Sequence, residues 1–177
     1  MRKIIYYVAC SLDGFIAGEN ENVSQFIYEG NGVEKYQNDL KEFDTVIMGR
    51  TTYEFGYQYG LQEGKGAYPN MEHYIFSNNL RFKNADSNVH VRKVVLEEIE
   101  KIQKKEGSDI YLCGGGQFAG WLLQNEKIDI LKIKLNPILC GTGILLFGDS
   151  QVPYQLELLE SESYEKGMQI MTYKILY

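Results

Sequence analysis

The stretch Asp109-Ile110-Tyr111-Leu112-Cys113-Gly114-Gly115-Gly116-Gln117-Phe118-Ala119-Gly120-Trp121-Leu122-Leu123 constrains this chain more than any other. An apolar, strand-like run stops in three consecutive glycines and restarts with the spacing of an amphipathic helix. Three glycines hold no side chain against a ligand, and the helix that follows offers free backbone N–H groups at its positive dipole end. Such a turn suits a phosphate or pyrophosphate; a bare tight turn would need only one or two glycines.

The other apolar runs share this style. Lys3 to Cys10 is β-branched and aromatic, as expected of a central strand covered on both faces. It ends in Ser11-Leu12-Asp13-Gly14-Phe15-Ile16-Ala17-Gly18, where Asp13 stands at the strand edge that open α/β sheets use for ligands, or simply opens a turn. Val33, Tyr36, Leu40 and Phe43 recur at helical spacing and predict a helix over 33–43. Thr45 to Met48 is a short buried strand, and Gly49-Arg50-Thr51-Thr52-Tyr53-Glu54 has the form of a Thr-x-x-Glu capping box. Because an arginine at a helix N-terminus opposes the dipole, Arg50 marks a second anion-binding candidate.

Residues 56–70 carry glycines and tyrosines without periodicity and read as a long mobile loop. Gly60 to Gly66 is not a P-loop, since Lys65 is followed by Gly66 and no strand leads in. Strands are expected at Glu72 to Ser77 and Asn88 to Val91, then a helix over 95–106. Ser77 and Asn78 could bind a ligand or make a turn, and turn is the simpler reading from the residues alone. His73 and His90 are isolated and read as structural. After Ile128 to Leu135, Tyr154 to Leu159 and Met168 to Tyr177 alternate as strands around a polar turn at 160–167, predicting a closing antiparallel hairpin on an otherwise parallel sheet.

Composition excludes several classes. The 177 residues fit a single domain, 1–177, and the net charge of −6 leaves no basic stripe for nucleic acid. The apolar run at the N-terminus is far too short for a signal peptide or membrane span. Cys10, Cys113 and Cys140 lack metal-ligand or disulfide spacing, so no metal is expected and the thiols fit the reducing cytoplasm. The 14 tyrosines suit core and subunit contacts, and a homodimer is expected.

Gly114, Gly116 and Ala119 satisfy a loose G-x-G-x-x-A pattern, but the motif comes late and the next strand ends at Leu135-Asn136 without a ribose-binding acid, which argues against a Rossmann domain. With anion sites divided between the Gly49 helix start and the late glycine turn, a dinucleotide carrying an extra phosphate is the indicated ligand. The order and spacing of Ser11 to Ala17, Val46 to Glu54, Ser77, Leu112 to Gly116 and Leu135 to Gly143 resemble the dihydrofolate reductase superfamily, and within it the C-terminal reductase domain of the bifunctional riboflavin-biosynthesis enzyme.

The resemblance implies a three-layer α/β fold, with helices on both faces of a mixed, mostly parallel sheet, binding NADPH along its C-terminal edge. It places Gly49, Arg50, Thr51 and Thr52 at the adenosine-side phosphates with Arg50 on the 2′-phosphate, and Ser77 and Asn78 beside the adenosine. Cys113, Gly114, Gly115, Gly116, Gln117 and Phe118 would surround the pyrophosphate, with a cis peptide between the first two glycines. Ala9, Ile16 and Ala17 would meet the nicotinamide. Relatives often carry an acidic residue followed by Trp where this chain reads Val23-Ser24-Gln25-Phe26. Asp13 is therefore the expected proton donor, with Glu29 and Glu34 behind it. The implied activity is reduction of a small heterocycle, of pterin (dihydrofolate) or 5-amino-6-(5-phosphoribosylamino)uracil type. A nucleotide-binding sensor or sequestering protein of the same fold is the alternative.

Overall fold

The computed structural model describes residues 1–177. Its main sheet has eight strands in the order β5-β4-β3-β6-β1-β7-β10-β9: β1 Ile4–Ser11, β3 Thr45–Gly49, β4 Glu72–Phe76, β5 Val89–Arg92, β6 Ile110–Gly114, β7 Ile130–Asn136, β9 Gln155–Ser163 and β10 Gln169–Leu176. Two short strands, β2 Phe15–Ala17 and β8 Ile144–Leu145, pair separately. The first six main strands in this order are parallel, while β10 runs antiparallel to β7 and to β9. This is the mixed sheet with a closing hairpin that the sequence predicts.

Alternation along the strands divides the core into two layers, because successive side chains point to opposite faces. Ile4, Tyr6, Ile47, Ile110 and Leu112 pack under α3 Leu96–Gln103 and α4 Gly116–Gln124. Tyr7, Val46, Met48, Ile75 and Tyr111 pack under α1 Asn31–Leu40 and α2 Arg50–Phe55. Tyr7 and Tyr36 of α1 meet edge to face at 4.8 Å, which fixes that helix across the central strand.

Several boundaries differ from expectation for identifiable reasons. Helix α1 starts at Asn31 and ends at Leu40; Phe43 lies beyond it and still packs on Tyr111 at 5.6 Å, which mimics helical spacing in the sequence. The capping box does not form, because Gly49 is the N-cap, Thr51 lies inside α2, and Glu54 pairs with Arg50 at 2.7 Å instead. Residues 56–70 begin with a 3-10 turn and are tied down rather than free. The Tyr53 hydroxyl donates to the Lys65 carbonyl at 2.8 Å, and the Tyr68 N–H donates to His73 Nε2 at 3.0 Å. Strand β9 extends to Ser163 through residues expected to turn, since an exposed edge strand buries no apolar row that would announce it.

Asp13 anchors the carboxyl edge of the sheet. Its carboxylate accepts the Ser11 hydroxyl, the Gly141 N–H at 2.7 Å and the Cys140 N–H at 3.1 Å, joining the end of β1 to the loop after β7. These hydrogen bonds, the Ser11 hydroxyl foremost, hold its carboxyl down to about 2. A depressed carboxylate stabilises the fold above its unfolded value and loses that contribution as pH falls toward the folded one. Asp13→Asn is therefore expected to melt below wild type at neutral pH, with the gap constant above about pH 5 and closing between roughly pH 4 and 2. Thermal denaturation of both proteins across that range checks it.

Candidate functional site

The parallel strands β4, β3, β6, β1 and β7 end side by side, which brings Ser77, Gly49, Gly114, Ser11 and Asn136 to one edge. At its centre β6 passes β3 with a slip in register that skips Cys113, pairing Ile47 with Leu112 and Met48 with Gly114. The chain then turns through Gly114, at φ +135°, and a cis peptide to Gly115, the N-cap of α4.

The glycines have a partly different reason from the one expected. A β-carbon on Gly115 would stand 2.8 Å from Thr52 Oγ1, and one on Gly116 would stand 2.2 Å from the Leu145 carbonyl oxygen. These two are empty because protein packs there. The consequence is that the start of α4 lies directly against the start of α2. Neither helix has a side chain capping its N-terminus. Two sets of unclaimed N–H groups, both at positive dipole ends, therefore face the same edge.

The side chains expected around them divide into those that are available and those that are committed. Arg50 gives only Nε to Glu54, at 2.7 Å, and its side chain is about half exposed, leaving the rest of the guanidinium for an anion. The Ser77 oxygen accepts the N–H groups of Asn79 at 3.2 Å and Leu80 at 3.0 Å, so its turn role is real, and its hydroxyl proton remains to be donated. Asn78 accepts from the Val94 N–H through Oδ1 at 3.2 Å and keeps its amide hydrogens. Phe118 is a core residue stacked on Phe76 at 4.8 Å, and Gln117 reaches Asp149 at 2.6 Å, so these two offer backbone N–H groups and not side chains. Cys113 points to the α1 face, where its Sγ meets the Tyr68 hydroxyl at 3.3 Å and burial pushes the thiol up. The side chain of Cys113 is thus turned away from the glycine turn.

On the α1 face of the same edge, Ala9 of β1 and Lys134 of β7 lie side by side. Ala9 is partly exposed although it sits on β1, flanked by β6 and β7. Two residues before it, Tyr7 carries the Tyr36 ring, whose hydroxyl shares a 2.7 Å hydrogen bond with that of Tyr111 in a packed group with Tyr68 and Cys113. Burial raises all three phenols, so they are neutral donors at physiological pH. Ile16 and the buried Ala17 lie on β2, which adjoins β1.

None of the expected proton donors suits that task here. Asp13 is held strongly ionised by three hydrogen bonds, the opposite of what a general acid near neutral pH needs. Glu29 is paired with Lys166 at 2.8 Å and Glu34 is exposed on the outer side of α1. The sequence reading overlooked Asp39, Lys132 and Lys134. Asp39 accepts Lys35, Lys132 at 2.7 Å and the Tyr7 hydroxyl at 3.2 Å, beneath α1. The signal was present in Leu131-Lys132-Ile133-Lys134-Leu135, where two lysines share one face of an interior strand. His73 is buried and accepts a backbone N–H, while His90 pairs with Glu72 at 2.7 Å, as structural residues would. No three metal-ligating side chains come together.

Known proteins share the fold. The RibD C-terminal domain family matches residues 2–170. Two uncharacterised Bacillus subtilis proteins are similar over nearly the whole chain: YwjB at 26% identity over 170 residues, covering 96% of both chains, and YyaP at 27% over 185 residues, covering 97% and 94%. A Shewanella sp. PV-4 protein named for riboflavin biosynthesis superposes with a TM-score of 0.82 at 23% identity, with both chains fully covered. The deaminase/5-amino-6-(5-phosphoribosylamino)uracil reductase of Thermotoga maritima gives 0.69 at 13%, covering 99% of this chain and 57% of that one. Dihydrofolate reductase from Enterococcus faecalis, complexed with NADP(H), gives 0.65 at 17%, covering 99% and 97%. The match to the RibD C-terminal domain family runs from residue 2 to residue 170, nearly the whole of this dihydrofolate-reductase-like fold, and the chain belongs to that family.

Proposed function

We propose that this protein is an NADPH-dependent reductase of a small planar, carbonyl-bearing substrate. The observation that carries the reading is the pair of uncapped helix N-termini, α2 and α4, meeting at Thr52 and Gly115 with Arg50 beside them. The residues present fit the cofactor. First-turn N–H groups of α4, Gly116 to Phe118, would hold the pyrophosphate; Gly49, Arg50, Thr51 and Thr52 would take the adenosine-side phosphates; Ser77 and Asn78 would border the adenosine. Ala9, Ile16 and Ala17 would flank the nicotinamide, and Gly114 and Cys113 would contribute backbone only. When bound, the cofactor supplies a hydride to the substrate carbon.

The chain's own residues then have definite tasks. Tyr36, Tyr68 and Tyr111 are bonded to one another or to Cys113 and remain neutral, so this side of the edge adds no negative charge beside a bound ring. Asp13 holds the strand end against the 140–141 loop and acts as a positioning residue. With no free carboxylate beside Ala9, a pterin that must be held as a cation is disfavoured relative to a substrate of the ribosylaminopyrimidine type. NADPH binding without oxidation over a panel containing both would instead support a sensing or sequestering role.

The homodimer has a candidate surface. Strand β9 is an unpaired sheet edge whose Leu156, Leu158 and Leu159 are 45%, 54% and 52% exposed. A second copy adding to that edge would cover them. No helix is long and apolar enough to cross a membrane. On the NADPH reading, the protein works in the cytoplasm with the NADPH pool.

Three outcomes are expected. NADPH should raise the melting temperature more than NADH, by mass action on the folded state. Arg50→Ala should weaken NADPH binding by about 10- to 100-fold while leaving NADH nearly unchanged; equal losses in isothermal titration would sink the assignment of Arg50 to the 2′-phosphate. Light scattering should give twice the chain mass for wild type and a monomer for Leu158→Glu.

A further inference from the structure

Lys134 is the one charged side chain under α1 that the fold leaves unanswered. It lies on β7 opposite Ala9 of β1, and it is 8% exposed. Its neighbour on the same face, Lys132, is satisfied by Asp39 at 2.7 Å and by the Tyr7 ring at 4.8 Å. Lys134 makes no ion pair and no hydrogen bond through Nζ; its partner is the Tyr36 ring, 4.7 Å from the ammonium. Burial alone lowers its affinity for a proton, with no neighbouring carboxylate opposing that effect.

The surrounding acids are all engaged elsewhere. Asp39 serves Lys35, Lys132 and Tyr7; Glu162 accepts the Tyr164 hydroxyl; Glu29 holds Lys166. The Lys134 side chain is nearly buried with no carboxylate beside it, and one aromatic face replaces only part of the water its ammonium gives up. A fold keeps such a group against stability when something binds it. The surroundings define what that something is: three neutral phenols and a neutral thiol packed on the same face, one cation and no free anion.

We propose that Lys134 is the specificity-determining residue for substrate at the β1–β7 end of the sheet edge, and that it holds an ionised oxygen, carboxylate or enolate, carried on a planar ring stacked beside Ala9. This rests on the reductase reading for its location next to the nicotinamide, but the anion site is formed by the chain alone. The site therefore selects anionic rings over neutral rings of the same size and rejects cationic ones.

The test uses orotate, a planar pyrimidine carboxylate, and uracil, its neutral counterpart, as probes of the full-length protein without cofactor. Calorimetric titration should show orotate binding at least tenfold tighter than uracil, and Lys134→Met should abolish that preference while Lys134→Arg retains most of it. Melting of the unliganded Lys134→Met protein should be at or above wild type, because an unpaired buried charge has been replaced by an apolar chain of similar length. A merely structural lysine would lower it. Equal binding of the two probes, no binding of orotate, or a destabilised Lys134→Met protein would each overturn the proposal. A separate titration with NADPH alone reports on the cofactor reading, so either can fail while the other stands.

Discussion

The site depends on one close approach, that of Gly115 at the end of β6 to Thr52 in the first turn of α2. A β-carbon at Gly115 would stand 2.8 Å from the threonine hydroxyl, which would have to turn away, and one at Gly116 would stand 2.2 Å from the Leu145 carbonyl oxygen. Because none is there, two positive helix ends converge on one edge of the sheet, and each is left uncapped. Capping either with a serine or aspartate would add about 1 kcal/mol to the fold. Leaving both open is the kind of local sacrifice that proteins make where a ligand supplies the missing acceptors.

The part of the same edge under α1 follows another logic. Phenols, a thiol and a lysine are packed there against the central strands, and the carboxylates are drawn off into pairs beneath α1 and along β9 and β10. The dihydrofolate-reductase-like architecture is shared with proteins named for different substrates, so the fold by itself leaves the substrate open.

How much was legible in advance varies with how local the cause is. The strand–glycine–helix sequence at 109–123, the parallel crossovers and the closing hairpin follow from periodicity and glycine placement, which act within a few residues. Gly49 and Arg50 were legible for the same reason. Asp13 was found as a residue of consequence, but its partners Cys140 and Gly141 lie far along the chain, and only their N–H groups turn a possible proton donor into a latch. Phe118 and Gln117 occupy the expected place with side chains committed to the core and to Asp149, which no spacing rule could tell. The extension of β9 was hidden because a solvent-facing edge strand carries no buried alternation.

The sequence by itself determined the class of fold, the glycine turn and the two helix starts, since backbone freedom and apolar period are properties of neighbouring residues. The tertiary structure decided which of those groups are free to act. It set α2 against α4, satisfied Lys132 with Asp39 from a distant helix, and left Lys134 alone next to Ala9, because electrostatic partners and desolvation are fixed by what folding brings alongside and by nothing in the local chain.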